Sequence, residues 1–93
     1  MPWTVELADA AVKAIDLLDK PVRQRMQRFI EQRLMNADNP RQWGKALTGK
    51  YAGLWRYRIG DYRLVCRIED ARLVVLVVKV AKRDTVYQGK PPQ

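Results

Sequence analysis

The dipeptide Gly60-Asp61 constrains this chain more than any other feature. It lies between two runs, Leu54 to Ile59 and Tyr62 to Glu69, in which side chains alternate in character. Alternation is the period of a half-buried strand, and a two-residue, glycine-containing loop between two such runs is a β-hairpin signal. A loop this short leaves one register: Ile59 opposite Tyr62, Arg58 opposite Arg63, Tyr57 opposite Leu64, Arg56 opposite Val65 and Trp55 opposite Cys66. Successive side chains point to opposite faces, so one face carries Trp55, Tyr57, Ile59, Tyr62, Leu64, Cys66 and Ile68. That face is a core. The other carries Arg56, Arg58, Arg63 and Arg67.

The remaining elements follow from a change of period. Trp3 to Leu7 alternates and reads as a short first strand. Beyond Asp9, a suitable N-cap, Ala11, Val12, Ile15 and Leu18 recur at helical spacing. Asp19-Lys20-Pro21 stops that helix, and Pro21 opens the next, whose stripe is Val22, Met26, Phe29, Ile30 and Leu34. Arg23, Arg25, Arg28 and Arg33 fall mostly outside the stripe. Asn36 to Tyr51 is a connection, broken at Asn39-Pro40, Gly44 and Gly49, with Trp43 expected to pin it to the core. Arg72 to Val80 is a third strand, apolar at almost every position and therefore expected inside the sheet. Gln88 to Gln93 reads as a frayed tail. The expected architecture is a single α+β domain over 1–93. It comprises a short N-terminal strand, an antiparallel two-helix hairpin and a three-stranded antiparallel meander completing one sheet.

Charge and missing residue types narrow the chemistry. Against 18 Lys and Arg stand 10 Asp and Glu, a formal charge of +8, which points to a polyanionic partner. There is no histidine and one cysteine, Cys66. That leaves no N/S ligand set for zinc, no Ser-His-Asp or Cys-His nucleophile and no disulfide within the chain. The few glycines form neither a P-loop nor a dinucleotide fingerprint, so no metal or cofactor is expected. The longest apolar run, Leu73 to Val78, is too short to span a bilayer. With no signal-peptide pattern and a lone cysteine, a cytoplasmic protein is expected, with no membrane partner.

The arginine face is the candidate site. Like charges directly opposite across strands cost roughly 0.2–1 kcal/mol, so an arrangement chosen for stability would interleave acids. Guanidinium stays charged at any relevant pH and pairs bidentately with phosphate. Beyond the last strand, Lys82, Arg83 and Tyr87 add two cations and a phenol. Arginines around one tyrosine suit a phosphodiester whose phosphorus becomes five-coordinate and more negative during cleavage. RNA supplies its own nucleophile, the 2′-hydroxyl, so no catalytic serine, cysteine or metal is required. Arginine does not serve as a base, which makes Tyr87 the better proton-transfer group than Asp61 or Asp84.

The stretch Gly53-Leu-Trp-Arg-Tyr-Arg-Ile-Gly-Asp-Tyr-Arg-Leu-Val, followed by an apolar strand and Ala81-Lys-Arg-Asp-Thr-Val-Tyr87, resembles the RelE family of type II toxins. The resemblance spans nearly the whole chain and is most specific from Gly53 to Tyr87. It implies the same strand, two helices and three strands, and an endoribonuclease that cuts messenger RNA in the ribosomal A site. It also implies neutralisation by a RelB-like antitoxin and a heteromeric complex with it. The family's functional positions fall here on Arg56, Arg58, Arg63, Arg83 and Tyr87 as catalytic residues, with Lys50, Arg67 and Lys82 as further RNA contacts. Well-known members carry lysine where this chain has Arg56 and Arg58, and several continue into a C-terminal helix where Gln88 to Gln93 stand here. Two other functions stay open on the sequence: a ParE-like toxin, similar in fold but acting on DNA gyrase, and a non-catalytic RNA- or DNA-binding domain.

Overall fold

A computed structural model describes residues 3–82. Strand β1 is Thr4–Leu7, followed at once by helix α1, Asp9–Asp16. Asp9 is the first helical residue and Ala8 the cap, so the Asp9 carboxylate complements the helix dipole and does not cap the helix. Helix α2, Lys20–Phe29, carries its proline at the first turn, as the sequence implies. It then widens into one π-helical turn, Ile30–Leu34, closed by the Met35 amide donating to the Ile30 carbonyl at 3.0 Å. The wider turn keeps Leu34 buried while Glu31, Gln32 and Arg33 stay exposed.

The connection holds more structure than its breakers suggest. Pro40–Trp43 form a 3₁₀ turn capped by Asn39, whose Oδ1 accepts the Arg41 amide at 3.0 Å. Lys45–Ala46 then form a short strand, β2, against β3, Trp55–Ile59. Trp43 does not pin this segment to the core: it is 41% exposed. The anchor is Tyr57, whose hydroxyl donates to the Pro40 carbonyl at 2.8 Å and whose ring lies against Gly44. A Cβ on Gly44 would come within 2.9 Å of Tyr57 Cε1 and 3.0 Å of the Arg56 carbonyl oxygen, so only glycine lets the chain pass so close.

Strand β4, Tyr62–Glu69, pairs with β3 in the register read from the hairpin, residue for residue. A turn at Asp70–Arg72 and Leu73 in the left-handed region (φ 54°) delay the last strand, β5, to Val74–Lys82, two residues later than expected at each end. The five-stranded sheet runs β1-β5-β4-β3-β2, with β1 parallel to β5 and the other pairs antiparallel. Strand β5 therefore lies inside the sheet, as its apolar run implies. Both helices cover one face. There Ala11, Met26 and Leu34 pack with Tyr57, Leu64, Cys66, Val75 and Val77 in one buried cluster. No helix among the described residues is long and apolar enough to cross a membrane.

Candidate nucleic-acid interface

The sheet face turned away from the helices is organised in cross-strand rows. One row is Lys45, Arg56, Val65 and Lys79, from β2 to β5. The next, toward the hairpin turn, is Arg58, Arg63 and Ala81. Among the described residues neither row contains a carboxylate. At the other end of the face, Arg72 bridges Glu6 at 3.2 Å and Glu69 at 2.7 Å. Arg67 stands between these regions, opposite Leu76, which pairs on its other side with Glu6. Charge is thus segregated along one face, acids matched at one end and cations gathered at the other.

A β-bulge creates this distribution. Val65 pairs with Lys79 but Cys66 pairs with Val77, leaving Val78 as the extra residue of β5. Strict alternation from Val75 and Val77 would aim Lys79 into the core; the bulge turns it onto the arginine face. The same shift carries Lys82 the other way. It stands opposite Tyr62 on the helix side, its ammonium 5.9 Å from that ring's centroid, and so lies apart from the arginine rows. Lys50 is exposed in the 3₁₀ turn Gly49–Tyr51, before β3 and off both rows. Lys45 and Lys79 escaped the sequence reading. A lysine at core parity in an apolar strand was the available signal for the bulge.

The arginines differ in exposure. Arg58 is exposed and Arg56 half-buried, but Arg63 is only 3% exposed. Arg63 is therefore buried although the hairpin register assigns it to the face opposite the core. It sits on the central strand, flanked by Arg58 and Ala81, and its Nη1 donates to the Tyr62 carbonyl at 3.4 Å. Arg83, Asp84 and Tyr87, and the tail Gln88 to Gln93, lie outside the described residues.

On the helix side of β3 and β4, burial keeps two ionisable groups neutral. Cys66 is fully buried, and burial raises its thiol far above the ordinary range, so it stays neutral. Burial likewise raises the Tyr57 phenol, leaving it a neutral donor to Pro40. Arg41 makes a bidentate pair with Asp70 at 2.8 and 2.7 Å and lies over the Trp55 ring at 5.6 Å. That pair, mainly through its hydrogen bonds, holds the Asp70 carboxyl below its ordinary range.

Residues 5–87 match the family described as ParE toxin of type II toxin-antitoxin system, parDE. The chain is 30% identical over 90 residues to Toxin RelE of Mycobacterium tuberculosis, covering 97% of this chain and 91% of that protein. It is also 30% identical over 88 residues to Toxin RelG of the same organism, covering 95% of this chain and 99% of that protein. The toxin–antitoxin complex RelBE2 from Mycobacterium tuberculosis contains a chain that superposes with a TM-score of 0.81 at 29% identity, covering 89% of this chain and all 100% of that one. The chain belongs to the RelE family of toxins, within the RelE/ParE toxins of type II toxin–antitoxin systems.

Proposed function

We propose that this toxin is a ribosome-dependent endoribonuclease that halts translation in the cytoplasm by cutting messenger RNA in the A site. The observation carrying this reading is the segregated face, where Lys45, Arg56, Arg58, Arg63 and Lys79 gather on two rows that, among the described residues, contain no carboxylate. Such a face holds phosphates, and its guanidinium groups stabilise the extra negative charge at phosphorus. The RNA 2′-oxygen forms a bond to phosphorus as the bond to the 5′-oxygen breaks, leaving a cyclic phosphate and a 5′-hydroxyl. Tyr87 moves the proton, since arginine does not serve as a base and histidine is absent, and Arg83, at a functional position of the resembled family, steadies the phosphate. RNA pre-positioned by the ribosome is cut far faster than free RNA, because holding the reacting groups in place makes up for weak proton transfer.

The partner that restrains the toxin is a RelB-like antitoxin, by analogy with the RelBE2 complex. Its amphipathic segment fits the groove of about 300 Å³ between β1, α1 and α2, floored by Val5, Leu7, Ile15, Met26, Ile30 and Met35. Arg23 on the groove wall suits an acidic side chain of that segment.

Single-turnover cleavage on programmed ribosomes tests the proposal. Tyr87→Phe should slow cleavage by roughly 10²–10⁴ with little change in ribosome binding. A variant that cuts at nearly the wild-type rate makes Tyr87 a packing residue. The family description as a ParE toxin favours one alternative, action on DNA gyrase, which requires neither row of cations. Inhibition of gyrase supercoiling without any A-site toeprint would establish it.

A further inference from the structure

We propose that Lys79 gives the proton that the departing 5′-oxygen takes up when the phosphodiester is cut. This rests on the endoribonuclease reading above and adds a proton transfer which that reading leaves open. Cleavage moves two protons. One leaves the 2′-hydroxyl as its oxygen attacks phosphorus, and one reaches the 5′-oxygen as its bond to phosphorus breaks. Tyr87, as its phenolate, takes the first. For the second, the cationic rows offer Arg56, Arg58 and Arg63, whose guanidinium groups hold their protons at any relevant pH, and two amines, Lys45 and Lys79. An ordinary lysine ammonium, with a pKa of about 10.4, is protonated at neutral pH. An alkoxide, whose conjugate acid lies near water's value of about 15.7, takes a proton from it downhill. The lysine is left as the neutral amine and regains its proton from solvent.

Position selects Lys79 over Lys45. Lys45 is exposed on a two-residue strand at the outer edge of the sheet. Lys79 is half-buried on the nine-residue strand β5, next to the central strand that carries Arg63. The bulge at Val78 sets it there, since Val75 and Val77 are buried on the helix side and regular alternation would send Lys79 after them. Bulges of this kind re-aim single side chains beside active sites. Val65 lies directly opposite Lys79, and Arg63 and Arg67 stand two residues to either side of Val65 on the same face. Along β5, Glu6 pairs with Leu76 and is held by Arg72 at 3.2 Å. Lys79 makes no ion pair among the described residues, so a phosphate held by Arg63 has this ammonium beside it. Arg83 and Tyr87 follow four and eight residues later on the same segment of chain.

Single-turnover cleavage by the full chain on programmed ribosomes tests this with two substrates, ordinary A-site RNA and the same RNA with sulfur in place of the scissile 5′-oxygen. A thiolate, with an ordinary pKa of about 8.5, leaves without a proton, so a missing acid costs nothing there. Lys79→Met should cut ordinary RNA roughly 10²–10⁴ times more slowly and the sulfur substrate within about threefold of wild type. Lys79→Arg keeps the charge but holds its protons too tightly to replace the acid. It should bind ribosomes as wild type does and still cut ordinary RNA at least about tenfold more slowly. Tyr87→Phe should stay slow on both substrates, because the 2′-proton must still be removed. Lys45→Met should lose whatever its charge contributes equally on both. Melting curves and ribosome affinity check that each variant is folded and bound. The inference is overturned if Lys79→Arg cuts ordinary RNA at the wild-type rate, which would make Lys79 a phosphate cation only. It is equally overturned if Lys79→Met is as slow on the sulfur substrate as on ordinary RNA, or if sulfur rescues Tyr87→Phe instead. Wild-type protein that cuts neither substrate on ribosomes would sink the endoribonuclease reading as well.

Discussion

Arg58→Glu separates function from stability on the cationic face. Arg58 is exposed and stands directly opposite Arg63 in the β3–β4 register. The wild-type pair is like-charged, and the substitution makes it unlike. Cross-strand charge pairs count for roughly 0.2–1 kcal/mol in either sense, so the swing favours the variant by about 0.4–2 kcal/mol. Solvent screening of the exposed partner keeps the outcome in the lower half, about 0.5–1 kcal/mol. In a chain of this size 1 kcal/mol moves Tm by about 4–8 °C, so the variant should melt about 2–8 °C higher. The gain should shrink in 1 M salt, where the Debye length falls to about 3 Å. Arg58→Gln, which removes repulsion without adding attraction, should fall between the two. Circular dichroism follows the melts, and cell-free translation follows activity, which Arg58→Glu should abolish. A lower Tm with translation still inhibited would show that the arginines serve the fold, and the reasoning would fail.

Tyr57→Phe keeps the edge-on contact with Phe29 but strands the buried Pro40 carbonyl, so chemical denaturation should report a loss of about 1–3 kcal/mol. Gly44→Ala drives a methyl into the Tyr57 ring and the Arg56 carbonyl, and should cost about 1–3 kcal/mol by the same measurement. Asp70 should titrate below the ordinary aspartate value of about 3.9 in an NMR pH series, and Arg41→Gln should restore it. Because its folded pKa is lowered, the pair's contribution is present above that ordinary value and is lost as pH falls through the folded one.

The hairpin was legible because a two-residue loop admits one register and strand parity then assigns every side chain to a face. The same logic identified Tyr57, Leu64 and Cys66 as core and placed Arg56, Arg58 and Arg63 together. The helix pair was legible from its 3.6-residue stripe and from Pro21. Parity fails where a strand gains a residue. The bulge at Val78 moved Lys79 onto the cationic face and Lys82 off it, and it reflects how β5 fits β4, which no local pattern records. Arg63 is buried although Arg67, on the same strand and the same face, is exposed, a difference that strand parity does not record. Trp43 shows the same division from the opposite side. Its size marks it for the core, but Tyr57 already anchors the segment through Pro40 and Gly44, and the indole is left at the surface beside Arg33. Local spacing determined which residues share a strand face. Contacts between elements distant in sequence decided which of them reach solvent, because burial depends on every neighbour the fold supplies.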